Sequence, residues 1–215
     1  ALETCSSHCV LALRRESMLK QAGVGLLLYA DRNREHLPDI VCAKTGKPLM
    51  SWRVRLLPVM EAFSTWDKLH LDEPWNSEHN AKVLSQVKRL FAANPKTPDG
   101  HAHILAGTGH KNFGFLPNKP GEEPIAIEAI SDGMSNTALL VEVDPERSVP
   151  WAKPEDFTWD EAKPNAGLGS KDEPFFRVLL GDTRVVKVSR DESAETLKSL
   201  FGRNDGQSYQ LKPVE

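Results

Sequence analysis

The segment Leu19-Lys20-Gln21-Ala22-Gly23-Val24-Gly25-Leu26-Leu27-Leu28-Tyr29-Ala30 fixes the first long element of the chain. Leu19, Ala22, Leu26, Tyr29 and Ala30 recur at i, i+3 and i+4 intervals, the spacing of one buried stripe on an α-helix. Arg14, Arg15, Glu16, Lys20 and Gln21 fall mostly on the other faces. Gly23 and Gly25 each cost a helix about 1 kcal/mol relative to alanine. A glycine is useful on a helix where another backbone must come close, so the stripe is expected to pack tightly on a sheet. The helix should end near Asn33 to His36, before Pro38.

Outward from this helix the texture changes twice. Gly46-Lys47-Pro48 reads as a turn, and Trp52 to Trp66 as a short helix that Pro58 restricts or breaks in two. Ser77 is a candidate N-cap with Glu78 in the first turn. Val83, Leu84, Val87, Leu90 and Phe91 then give an apolar face to a helix stopping before Asn94-Pro95. From Pro98 onward the chain reads as strands and loops. His103 to Ala106, the alternating Ile125 and Ile127, and above all Thr137 to Val143 predict strands. Phe175 to Leu180 and Val185 to Val188 predict a hairpin around Gly181-Asp182-Thr183. Ser193 to Phe201 predicts a last short helix, with a loose tail from Asn204. Strands clustered after helices, rather than alternating with them, give an α+β layout.

Bulk composition narrows the classes. A chain of 215 residues, 40% hydrophobic and 27% charged, suits one substantial core. The net charge of −3 gives no electrostatic footprint for nucleic acid. The longest apolar run, Ala22 to Ala30, is far short of a membrane helix. No signal-peptide pattern is present. Three cysteines, Cys5, Cys9 and Cys42, do not make a disulfide framework. Cys5 and Cys9 stand at i and i+4, where a bridge would be strained. Cys5-Ser-Ser-His8-Cys9 offers only three local zinc ligands and lacks the order of a haem attachment site.

Five stretches together carry a resemblance. They are Leu19-Lys20-Gln21-Ala22-Gly23 with Tyr29 and Pro38; Ser51-Trp52-Arg53-Val54 with Leu57-Pro58; Leu71-Asp72-Glu73-Pro74-Trp75-Asn76; Asp132-Gly133-Met134-Ser135-Asn136-Thr137; and Val149-Pro150-Trp151-Ala152-Lys153-Pro154-Glu155-Asp156. In this order, over roughly residues 14 to 205, the chain resembles a large planctomycete family. Its members open with a prepilin-type cleavage and methylation signal and continue into a domain of unknown function. The resemblance implies a pseudopilin-like subunit: a long N-terminal helix packed on an antiparallel β-sheet, with helical insertions and a short C-terminal helix. Residues 1–36 would be the membrane-proximal part of the helix and 37–215 the globular domain. It further implies an extracytoplasmic location, a membrane anchor preceding residue 1, and other protein subunits as partners through the helix. One departure stands out. The family usually carries a histidine ahead of an Asp-Gly turn near the C-terminus, whereas here Asp182 is followed by Thr183 and no histidine lies upstream in this half. The turn is therefore expected to avoid a positive φ at residue 183.

Candidate site residues divide by chemistry. Leu19, Ala22, Leu26 and Tyr29 are candidates for partner contact, joined by Trp75 and Trp151. Trp52, Trp75, Trp151 and Trp159 would alternatively line a surface for a polysaccharide, peptide or protein, or else anchor loops onto the core. Asp132, Gly133, Ser135 and Asn136 read as a turn whose side chains bind backbone amides, since one certain carboxylate is too few for calcium. Glu142 is expected to face an arginine such as Arg53, and Asp182 to shape the hairpin turn. His101, His103 and His110 with Asp99 would be the raw material of a metal-dependent hydrolase, or simply an exposed strand edge. There is no nucleophile elbow, no H-E-x-x-H and no phosphate-cradling loop, so the chain reads as non-catalytic and without a cofactor.

Overall fold

The first helix, α1 (Leu2–Arg32), is 31 residues long, about 46 Å at 1.5 Å per residue. The structure, a computed structural model, describes residues 2–60, 62–87, 89–92 and 94–214, with side chains from Cys9 onward. Arg34 and Glu35 both take left-handed backbone, at φ 55° and 61°. The amides of Asn33 and Glu35 turn back to the Ala30 carbonyl at 2.9 Å each, and Asn33 Nδ2 donates to the Tyr29 carbonyl at 2.7 Å. The Tyr29 and Ala30 carbonyls in the last turn of α1 are thus satisfied by the chain that leaves it.

Short elements follow: β1 (Val41–Cys42) and β2 (Pro48–Met50), which pair antiparallel, then α2 (Trp52–Arg55), α3 (Phe63–Trp66) and α4 (Glu78–Leu84). Ser51 and Ser77 cap α2 and α4 by accepting the amides of Arg53 and Asn80. Pro58 lies between α2 and α3, so the stretch from Trp52 to Trp66 is two short helices. The regular helix from Glu78 stops at Leu84, well before Asn94. Phe91 instead reaches the core from irregular chain, its ring 6.0 Å from Trp52 and 6.4 Å from Trp151. Here tertiary packing overrides the helical period.

Among the described residues, seven strands and an α-helix follow: β3 (His101–Ala102), β4 (Ile104–Thr108), β5 (Ala138–Glu142), β6 (Val149–Pro150), β7 (Phe157–Thr158), β8 (Phe175–Leu180), β9 (Val185–Ser189) and α5 (Ala194–Phe201). The main sheet has the order β7-β4-β5-β8-β9, antiparallel except for the parallel pair β4–β7, and β3 pairs separately with β6. The expected strand around Ile125 and Ile127 is not formed. Ile127–Ala129 is one turn of 3-10 helix, because the Ile125 carbonyl and Ile127 amide are bonded to Leu37 and Glu35 after α1.

The pleat decides which residues meet α1. Leu140 pairs with Leu179 and Val141 with Val178, so Leu140, Glu142, Arg177 and Leu179 share one face. α1 lies on that face: a Cβ on Gly23 would stand 2.8 Å from Leu179 Cδ2. The close approach expected of a helix glycine is made at Gly23. On the opposite face Gly107 leaves room for the Phe201 ring of α5. Covered from both sides, every residue of β5 is buried.

The β8–β9 turn corrects one expectation. Thr183 has φ 69°, in the left-handed region where a β-branched residue is strained. Asp182 holds it there, with Oδ1 accepting the Arg184 amide at 3.1 Å and Oδ2 accepting Arg184 Nε at 2.7 Å. The tail is also not loose. Asp132 accepts the amides of Asp205 and Gly206 at 2.7 and 2.9 Å, and Tyr209 Oη donates to the Asn136 carbonyl at 2.7 Å.

Candidate functional site: an interaction face on the first helix

Two faces of α1 have opposite fates. Arg15, Leu19, Ala22, Leu26 and Ala30 are buried against the sheet. Leu19, Ala22 and Leu26 are therefore not available to a partner, and Tyr29 is half-buried against the same core. The reason is the stripe itself, whose period matches the face that the sheet covers. Half a turn away, Val10, Leu13, Val24 and Leu28 are exposed, and they are most of the large exposed apolar residues among those described. Leu13, Ser17, Lys20, Val24 and Leu28 line a groove of about 810 Å³ whose other wall includes Val59, Met60 and Leu90. A Cβ on Gly25 would stand 3.5 Å from Leu56 Cδ1 and Met60 Cγ, in ordinary contact with that wall. The signal for this second stripe is in the sequence, at the same period as the first and opposite in phase.

Arg15 is the charged member of the buried stripe, not of an outer face. Four residues before Leu19, it is in phase with the core, which its charge disguises. Arg15 Nε bonds Glu142 Oε1, and Arg15 Nη2 lies 2.9 Å from Glu173 Oε2. Arg177 Nη1 reaches both Glu142 Oε2 at 3.2 Å and Glu173 Oε2 at 3.0 Å. His103, wholly buried, places Nε2 3.6 Å from Glu142 Oε1, a polar contact beyond hydrogen-bond range. Burial opposes ionisation of Glu142, but the His103 ring and the Arg15 guanidinium outweigh it and hold the carboxyl down at about 2.

Arg53 is not the partner of Glu142. It lies buried with Asp156, Nη2 to Oδ1 at 2.5 Å. Asp156 also accepts the Ala106 amide at 2.9 Å and Trp52 Nε1 at 3.2 Å. The Ser51-Trp52-Arg53 and Glu155-Asp156 segments are thus one clasp on the edge of β4. Burial still pushes the Asp156 carboxyl up and the Arg53 guanidinium down, because one pairing does not offset the desolvation of both.

The segment from Asp132 to Thr137 is a second clasp. Gly133, at φ 93°, makes the turn. Met134 and Ser135 offer their carbonyls to the Asp182 amide and to Arg184 Nη2. Thr137 Oγ1 donates to the Gly202 carbonyl at 3.2 Å. Asp132 does bind backbone amides, but those of the C-terminal tail rather than of its own turn.

The remaining candidates do not converge. Trp52, Trp151 and Trp159 are buried, and Trp75 is half-buried against the core, its amide bonded to the Leu49 carbonyl. They anchor loops, and among the described residues no groove is lined by exposed tryptophans. His101 meets Ser148 Oγ at 3.3 Å, His103 faces Glu142, and His110 lies against Phe113 and Trp159. No three His, Cys, Asp or Glu residues among those described are placed to hold a metal ion. The Cys5 and His8 side chains lie outside the described residues, while Cys9 is exposed and Cys42 half-buried, both as free thiols. No described helix is long and apolar enough to cross a membrane.

Residues 16–101, which contain most of α1 and the helical middle, match the family described as "Protein of unknown function (DUF1559)". No curated protein and no solved structure matches the chain.

Proposed function

We propose that the chain is a non-catalytic assembly subunit that joins a larger protein complex through the outer face of α1. The observation that carries this reading is the second apolar stripe, Val10, Leu13, Val24 and Leu28, left uncovered on a helix whose other stripe is fully used. Exposed apolar residues are ordinary when scattered, but a line of them beside a groove marks a docking site. The ionisable side chains support the non-catalytic part. Arg15, Glu142 and Arg177, like Arg53 and Asp156, are buried in contact with one another rather than aimed into a cleft.

The finer reading is of a pseudopilin-like subunit working outside the cytoplasm, in a pilus-like or envelope complex, with a membrane anchor preceding residue 1. The long helix laid on an antiparallel sheet and the match over residues 16–101 support it. The test is gentle purification from the native source, followed by mass determination and cross-linking of co-purifying chains. Companions cross-linked to residues on the outer face of α1 are expected. A lone monomer with no companion would overturn the reading.

A further inference from the structure

A second surface, separate from the outer face of α1, is open along β9, the outer strand of the main sheet on the β8 side. At the two ends of the β8–β9 ladder the Leu180 amide bonds the Arg184 carbonyl, and the Arg190 amide bonds the Pro174 carbonyl. Hydrogen-bonded pairs alternate along antiparallel strands, so Val178–Val186 and Phe176–Val188 are the bonded pairs in between. The backbone groups of Val185, Lys187 and Ser189 therefore point away from the sheet. Of these, the Ser189 carbonyl is taken by the Glu192 amide at 3.2 Å, and the others make no hydrogen bond among the described residues. We propose that this edge is a strand-accepting site. It takes an extended segment of a partner protein in which an acidic residue stands between two β-branched apolar ones.

The ladder sets the shape of the occupant. Donors and acceptors repeated in one line at every second residue are met by another extended backbone. The charges that would guard an edge strand are turned aside. Arg184 is bonded to Asp182 and to the Ser135 carbonyl, and Arg190 to the Glu173 and Ser170 carbonyls. Lys187 is exposed and holds Nζ 4.6 Å from the centre of the Phe175 ring, on the α1 face of the sheet rather than across the edge. No carboxylate among the described residues is paired with it. Charge then sets the chemistry of the segment. The residue opposite Lys187 is acidic, and its two neighbours extend the row of Val186 and Val188 on the far face. A second copy fits poorly, because pairing the whole of β9 with itself sets Lys187 directly opposite Lys187. The other outer strand, β7, has two residues and offers no comparable ladder.

The probe is a peptide, Thr-Val-Glu-Val-Thr, capped at both ends and added to the full chain. Amide exchange followed by NMR should show Val185, Lys187 and Ser189 gaining protection as peptide is added, while Val186 and Val188 are protected throughout. Lys187→Pro removes an outward amide without touching the β8–β9 ladder. It should weaken binding about 10-fold or more, with the Val186 and Val188 amides still protected. Lys187→Glu should weaken binding about 5-fold and should prefer the peptide Thr-Val-Lys-Val-Thr instead. No gain in protection up to the solubility limit of the peptide would overturn the proposal. Equal binding of Thr-Val-Glu-Val-Thr and Thr-Val-Lys-Val-Thr to the parent chain would overturn the acidic partner. Protection that rises with chain concentration alone would give the edge to a second copy. None of these outcomes moves the cross-links expected on the outer face of α1, so the assembly reading fails or stands separately.

Discussion

Thr183 shows strain at a single residue. Its φ of 69° is one that glycine reaches without cost and a β-branched residue does not. Thr183→Gly should therefore stabilise the chain by about 1 kcal/mol, net of the extra freedom glycine gives the unfolded state; Thr183→Val should not, because it keeps the branch. Urea unfolding of the two variants measures the difference. Glu142 is the opposite case, a residue whose neighbours are all arranged in its favour. Glu142→Gln removes the more deeply buried of the two carboxylates that Arg15 and Arg177 share, leaving only Glu173 as their counter-charge, and should cost about 3 kcal/mol. The Arg15–Glu142 pairing was not legible in the sequence. The two residues are 127 positions apart, and only the helix phase and the strand pleat, taken together, bring them to one point.

At the scale of elements, periodicity carried most of the reading. α1, β5, the β8–β9 hairpin and α5 all lie where their apolar spacing and caps put them, because each buries a regular face. The failures came where the chain is held by distant bonds instead of its own repeat: Ile125 by Leu37, Phe91 by Trp52 and Trp151, the tail by Asp132. Two contacts between elements can be tested. Gly23→Val puts carbon where the Leu179 methyls already are, and should destabilise the α1–β8 contact by about 1–3 kcal/mol. Thermal unfolding of that variant gives the cost. Asp132→Ala removes the acceptor of two tail amides. The amides of Asp205 and Gly206 should then exchange with deuterium much faster, and proteases should trim the tail, while the sheet amides keep their protection.

For the whole molecule, acid is the informative perturbation. The folded Glu142 carboxyl titrates at about 2, below its ordinary 4.5. A depressed carboxyl favours the folded state only while ionised, so its contribution is complete above about pH 4.5 and is lost as pH falls toward 2. By linkage that contribution is of order 3 kcal/mol. Stability should fall through this window in the parent chain. Glu142→Gln should show a shallower slope there, since it has no carboxyl to titrate at the site. Unfolding free energies measured at several pH values decide between the two profiles, and equal slopes would show that Glu142 is not the source.

The Arg15 anchorage also has a mechanical meaning. A helix held to a sheet by side-chain packing alone can creep along its axis, since one leucine is much like the next a turn away. Arg15 allows only one longitudinal setting, because a shift of one turn, 5.4 Å, would carry its guanidinium away from both Glu142 and Glu173. A pull along α1 would therefore load those ion pairs in shear and pass directly into β5, an interior strand of the sheet, and into the chain that leads into β8. The same pull directed outward would peel the helix away one contact at a time. Resistance to force in this chain should depend on the direction of the pull.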